Sequence, residues 1–346
     1  LNNLTKFIFK EEDLPILNYL SDDGTPVEPD YYIPIIPTIL VNGTKGIGTG
    51  FSTDILSYNP IDIVKYLKLK LKNGNTFELK PYYENFKGEI AKISPQKYLI
   101  KGKYKILSCN KIHITELPIG TWTDPYKEYL ESLAICKNPI VKDFKDMSTH
   151  TDVDIVITFV MGAMHKLLTT ETEHGCILLE KKLKLYTTKK TSNMHLFDRK
   201  QRMRKYNNVE SIIDSFYPIR LAAYVKRKKY MIKQLEKTVK ILHNKARFIE
   251  EQCDDTIDLR RKKKDVVFQL LSDRTYNKVN GDFKYLTSMP IHSVIEENIE
   301  LLRKERDEKK LLLETLKNKS VEDMWEEELD EFLIEYKKYK KYRKKQ

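Results

Sequence analysis

Four glycines, Gly43, Gly46, Gly48 and Gly50, fall within eight positions of the stretch YYIPIIPTILVNGTKGIGTGFST (residues 31–53), and one bulky apolar residue, Ile47, stands among them. Two kinds of glycine chemistry are excluded by spacing. A phosphate-gripping P-loop needs Gly, four residues and then Gly-Lys-Ser/Thr, and a dinucleotide site needs G-x-G-x-x-G opening a helix. Neither occurs, and the next helix signal waits until Asn59-Pro60, an N-cap followed by a first helical residue. What remains is a tight turn between elements, or a surface where the backbone approaches a partner closely. Ile47, flanked by residues too small to shelter it, suits an apolar wedge of the kind that enters base steps of DNA and kinks the duplex.

A second stretch, KLYTTKKTSN (residues 184–193), interleaves ammonium and hydroxyl donors with one ring and almost nothing to bury. It suits hydrogen bonding to phosphate oxygens, or an exposed edge strand guarded by lysines. Trp122 in ELPIGTWTDPYKE reads either as core packing or, with its threonines and Lys127, as a DNA-facing rim. The pair Asp152 and Asp154 in TDVD invites a magnesium site, but it precedes the apolar run IVITFV, whereas such acids belong at a strand's C-terminal edge. The seven histidines are scattered, and the four cysteines (Cys109, Cys136, Cys176, Cys253) form no C-x-x-C. Neither a zinc site nor a disulfide framework is indicated, and no serine occupies a G-x-S-x-G elbow. No self-contained catalytic centre is visible.

The chain of 346 residues is long enough for several cores, and its formal charge of +12 favours a polyanionic partner. Nucleic acid comes before membrane, because no long apolar run appears. The start LNNLTKFIF lacks a methionine and a signal peptide and reads as a cut through a larger protein from a reducing compartment.

The elements that must position these residues fall into three blocks. Residues 1–55 read as short apolar pieces separated by turns such as DDGTPVEPD, followed by a helix PIDIVKYLKLKLKNG stopping at Asn73-Gly74. From about 80 to 198, alternating segments (KYLIKGKYKILS, KIHITELPI, DIVITFVM) fit strands of a mixed sheet, interrupted by helices such as TDPYKEYLESLA. Beyond 208, Val225, Lys228, Ile232, Leu235, Val239, Leu242, Ala246 and Ile249 recur at alternating three- and four-residue steps. That is a coiled-coil seam, with Lys228 as the exception whose stem packs while its ammonium reaches water. A weaker seam from about 291 to 317 (Ile295, Ile299, Leu302, Leu313, Leu316, interrupted by Arg306 and Lys309) pairs with it antiparallel. The basic but partly apolar stretch between them predicts a small helical knob, a natural meeting place for subunits. The closing YKKYKKYRKKQ reads as a solvated basic tail or as a nucleic-acid contact.

The segments EPDYYIPIIPTILVNGTKGIGTGFST, NFKGEI, ITELPIGTWTDPYKE, NKARFI and FKYLTSMPI, in this order, closely resemble eukaryotic and giant-virus type IIA DNA topoisomerases across nearly the whole chain. The resemblance implies an α+β multidomain fold, in which a mixed-sheet tower domain precedes a long antiparallel coiled coil bearing a small helical exit gate. It divides the chain into 1–55, the end of a winged-helix region with the DNA-intercalating loop; 56–205, the tower; 206–256, the first coiled-coil helix; 257–292, the exit gate that dimerises; and 293–346, the return helix and basic tail. Ile47 matches the isoleucine that inserts between base pairs in the family, with Lys45, Gly46 and Gly48 around it. Trp122 matches a DNA-contacting tryptophan of the tower, and Lys184, Thr187, Thr188, Lys189, Lys190, Ser192 and Asn193 match a DNA-contacting stretch. Tyr285, Leu286, Met289 and Pro290 fall where the exit gate closes a homodimer.

Two departures stand out. Gly120 replaces a family arginine two residues before the tower tryptophan, and Lys45 stands where many relatives carry glutamate. By the same resemblance the nucleophilic tyrosine, the magnesium-binding Toprim domain and the ATPase domain all lie upstream of Leu1. The chain alone is therefore expected to bind neither Mg2+ nor ATP and not to cut DNA. The whole enzyme would act on double-stranded DNA in a nucleus, or in a viral factory or host cytoplasm. A non-enzymatic coiled-coil DNA-binding protein would share the basic charge and paired helices, without needing the glycine loop.

Overall fold

The structure, a computed structural model, describes residues 2–259, 262–290 and 296–343. Two compact units divide the chain, one of residues 37–216 and the other of residues 1–36 together with 217–346. The chain opens with α1 (Thr5–Ile8), a 3-10 turn and a hairpin of β1 (Tyr19–Asp22) and β2 (Thr25–Pro29). Asp23 and Gly24 both take positive φ at its tip, the turn chemistry that suits strand twist.

Residues 37–216 begin with α2 (Thr38–Asn42), the hairpin of β3 (Thr44–Gly48) and β4 (Phe51–Ile55), and α3 (Pro60–Leu71). α3 starts and stops where its sequence signals lie. The Asn59 side chain accepts from the Ile61 amide, and beyond the last turn Asn73 takes the left-handed φ that lets the Gly74 amide reach back to Leu69 O at 2.8 Å. Then follow β5 (Glu89–Ser94), β6 (Lys97–Lys101), β7 (Lys103–Ser108), β8 (Lys111–Glu116), α4 (Thr123–Ile135), β9 (Val141–Asp146), β10 (Ile155–Phe159), α5 (Ala163–Thr169), α6 (Leu178–Lys182), β11 (Tyr186–Lys190), β12 (Met194–Phe197) and β13 (Met203–Tyr206).

The α+β class holds, but the mixed sheet does not: the strands form an antiparallel sheet ordered β7-β8-β10-β9 and a separate one ordered β11-β6-β5. The connections are short hairpins or strand switches, and parallel pairing would need long crossovers. Ile155, Ile157 and Phe159 alternate inward on β10 and meet Ile112 and Ile114 of β8 and Tyr126 and Leu130 of α4. Each such buried aliphatic side chain contributes about 1.5–3 kcal/mol.

α7 (Val209–Cys253) is one helix of 45 residues. It leads to α8 (Lys264–Asp273), α9 (Lys284–Thr287), α10 (Glu296–Asn318) and α11 (Val321–Arg343). The ion pairs Arg303–Glu250 and Lys317–Glu236 and the reach of Lys228 set α10 antiparallel to α7. Leu242, Ala246 and Ile249 are buried on one helix and Ile299, Leu313 and Leu316 on the other; Ile295 lies outside the described residues. Two seam expectations need correction. Val225 is exposed while Tyr224 and Arg227 beside it are buried, because α7 there packs on residues 1–36 and α11. Lys228 does not send its ammonium to water: it donates to Lys317 O (3.0 Å) and Lys319 O (2.6 Å), capping the C-terminal carbonyls of α10.

The expected basic tail is helical through Arg343. α11 starts where the Ser320 hydroxyl accepts from the Asp323 amide, and it carries Glu322 and Asp323 in its first turn and Lys340, Lys341 and Arg343 in its last, an arrangement that complements the helix dipole. Inside this unit Arg220 and Arg227 of α7 are buried. Arg220 donates to Asp13 at 2.6 Å and to Ile33 O at 2.9 Å; Arg227 reaches Asp13 at 3.3 Å and also Glu328. Trp325, fully buried, donates to Ile35 O and stacks near Tyr224, whose hydroxyl donates to Glu328. A helical knob follows α7, its core made of Phe248, Ile257, Leu271, Tyr276, Phe283 and Leu286.

Candidate nucleic-acid interface

The glycine stretch is a two-stranded hairpin, with Gly48 facing Phe51 and Ile47 facing Ser52. Its glycines have different reasons. Gly50 takes φ +82° in the turn. At Gly48 a Cβ would stand 2.7 Å from the Phe51 ring, so the fold itself demands glycine. At Gly46 the nearest atom to a Cβ is a Thr53 methyl at 3.9 Å; nothing within the chain forbids a side chain there, which leaves close approach of something outside it as the physical reason. Between them Ile47 is 90% exposed. A bare isoleucine at a hairpin tip is the geometry of a wedge, and it excludes the buried-turn reading. Lys45, also exposed, faces Asp54 across the ladder.

Trp122 is 77% exposed at the N-terminus of α4, so it is no core residue. The neighbouring Lys127 ammonium is held by Asp124 at 2.9 Å and Asp146 at 3.1 Å, hydrogen bonds that raise its pKa. Gly120, just before the tryptophan, has φ +89°, a conformation side-chain-bearing residues rarely adopt.

The 184–193 stretch joins this region through Thr187, whose hydroxyl meets Ile119 O at 3.5 Å. Tyr186–Lys190 form β11, an edge strand, so both readings of the stretch meet in one element. Thr188 and Lys190 are exposed and Thr187 and Lys189 half-buried, and Lys190 faces Lys97 across the ladder. Like charges placed directly opposite repel, and a bound polyanion would relieve that. Lys184 precedes the strand and lays its ammonium 3.7 Å from the centre of the Tyr129 ring. Ser192 is half-buried, and Asn193 turns inward to the hairpin: its amide donates to Ser52 Oγ at 2.7 Å. His195, which sequence reasoning passed over, joins the same contact at Ser52 O, 2.9 Å away. No local pattern marks it, since Ser52 and His195 meet from 143 positions apart.

The acidic pair is engaged by cations: Asp152 accepts from Lys87 and Asp154 lies 2.8 Å from His113 Nε2. Among the described residues no three His, Cys, Asp or Glu side chains gather around a cation site, and no helix is long and apolar enough to cross a membrane. In the knob, Pro290 is exposed and Tyr285 and Met289 are half-buried, whereas Leu286 is buried within the knob's own core and offers a partner no surface. Tyr285 donates to Asn277 O and accepts from Asn244, and burial raises its pKa.

The fold defines a class. It matches the crystal structure of the Plasmodium falciparum topoisomerase II DNA-binding, cleavage and re-ligation domain with a TM-score of 0.84 and 36% identity, over 99% of this chain and 50% of that one. Residues 1–330 match the DNA gyrase/topoisomerase IV family, in its DNA-gyrase A-type branch, and the chain belongs to that family of type II topoisomerases. It is 34% identical to DNA topoisomerase 2 of Penicillium chrysogenum, covering 95% of this chain and 22% of that protein. It is 33% identical to that of Acanthamoeba polyphaga mimivirus, covering 97% and 32%. The chain thus spans a third or less of these two relatives.

Proposed function

We propose that this chain is the DNA-bending, tower and exit-gate portion of an ATP-dependent type IIA topoisomerase, which passes one duplex through a transient double-strand break in another and so relaxes supercoils and decatenates DNA. The observation that carries the reading is Ile47, lifted almost fully into solvent on a glycine hairpin. Unstacking one base step costs a few kcal/mol, and a bent duplex returns it by touching more protein. Trp122 and the lysines of β11 are where that added contact would fall.

The described residues offer no built cation site, so no step is routed through a metal on this chain; magnesium and ATP belong to the reading of the whole enzyme. Tyrosine attack on a backbone phosphate, conserving the bond for resealing, would come from residues outside this chain. The knob would close a homodimer through Tyr285, Met289 and Pro290, with Leu286 supporting them from within. The enzyme would work beside its genome, in a nucleus or a viral factory.

Fluorescence transfer between the ends of a short duplex tests the reading, comparing this chain with Ile47→Ala. Bending by the unaltered chain and binding without bending by the variant is the expected result. Equal bending by both would remove Ile47 from the wedge role.

A further inference from the structure

Resting on that reading, we propose that His195 and Asn193 are positioning residues which clamp the hairpin and hold the Ile47 wedge against the duplex. A two-stranded hairpin alone is marginally stable in water, and among the described residues β4 is the only ladder partner of β3. A wedge on so yielding a support would fold away when pushed against a base stack. Residues 193–195 stiffen it by lying along the outer side of β4. The Asp54 amide donates to Asn193 O at 2.8 Å, the His195 amide donates to Thr53 Oγ1 at 3.3 Å, and the Asn193 side-chain amide donates to Ser52 Oγ at 2.7 Å.

His195 Nδ1 completes the clamp. It lies 2.9 Å from Ser52 O and 3.0 Å from Asn193 Oδ1. Both of those atoms are acceptors, so Nδ1 must carry the proton and donate. Ser52, which receives both side chains, is the residue directly opposite Ile47 in the ladder. The clamp therefore acts at the cross-strand partner of the wedge. Asn193, matched by sequence to a DNA contact, has its amide N–H and carbonyl oxygen both engaged within the protein.

The experiment compares two substitutions that differ in where they place a donor. Asparagine at 195 puts its amide nitrogen near the position of Nδ1, and glutamine puts it near Nε2. Bending of a short duplex is read at saturating protein, so that only the bound fraction counts, and hydrogen exchange at the Asp54 amide is read on the free chain. His195→Gln is expected to lower the bent fraction and speed Asp54 exchange, each about fivefold, the scale of one lost hydrogen bond. His195→Asn should restore both to within about twofold. Ile47→Ala should abolish bending and leave Asp54 exchange unchanged. If His195→Gln bends DNA like the unaltered chain while Ile47→Ala does not, the clamp is wrong and the wedge stands. If Ile47→Ala also bends fully, the wedge reading fails and takes the clamp with it.

Discussion

The rim of the 37–216 unit and the interior of the other unit reverse the usual distribution of side chains in opposite senses. At the rim, large apolar groups that would stabilise a core, Ile47 and Trp122, stand in solvent. In the interior, Arg220 and Arg227 are withdrawn from water around Asp13 and Glu328. Burying ions costs several kcal/mol each, so such a cluster adds little net stability over an apolar core, yet removing one member is severe. The rim gives up stability for a surface that can act on a partner, while the interior accepts a cost for one specific arrangement of α7, α11 and residues 1–36.

The sharpest break of this comparison is Asp13→Asn. It leaves two buried guanidinium groups short of a counter-charge and should cost about 3–5 kcal/mol in denaturant unfolding, whereas Ile47→Ala should change stability by less than about 0.5 kcal/mol. Similar losses from both would erase the distinction.

The glycines sharpen it within the rim. Gly48→Ala drives a Cβ into the Phe51 ring and is expected to cost about 1–3 kcal/mol. Gly46→Ala meets only a methyl at van der Waals distance, so its unfolding midpoint should stay near that of the unaltered chain while duplex bending weakens.

A smaller effect is expected in the knob from pH. Burial acts to raise the pKa of Glu251, but hydrogen bonds from Arg247 and Arg274 prevail and hold it below the ordinary carboxylate value. A depressed pKa means these pairs contribute fully above an ordinary carboxylate pKa of about 4.3 and are lost as pH falls through the lower folded value. Urea midpoints measured from pH 6 down to about pH 3 should fall more steeply for the unaltered chain than for Glu251→Gln. The smallest expected change is at Lys45. Lys45→Gln should leave stability unaltered and reduce the slope of log binding constant against log salt by about one; an unchanged slope would take Lys45 out of the duplex contact.

What the sequence displayed was local or periodic. Asn59-Pro60 and Asn73-Gly74 bracket α3 through contacts within a few residues, and the seam from Ile232 to Ile249 repeats on a helical period. Ile47 was legible because glycines leave it without neighbours. The hidden parts depend on residues far apart in the chain. Arg220 on a lysine-rich helix reads as a solvent-facing cation until Asp13, 207 positions away, is brought beside it. The contact of His195 with Ser52 spans a comparable gap, and nothing around either residue announces the other. Strand pairing was hidden too, since alternation shows which face of a strand is buried but not the direction of its neighbour.

Lys228 bears on the alignment of the two stalk helices. An apolar seam is nearly degenerate under translation: sliding α10 along α7 by one heptad, about 10.5 Å, brings leucine to leucine again. An ammonium tied to the last carbonyls of α10 has no second set of partners after such a slide. The leucines and isoleucines thus supply adhesion along the stalk, while one lysine supplies its address, fixing how far the knob stands from the break where α11 begins.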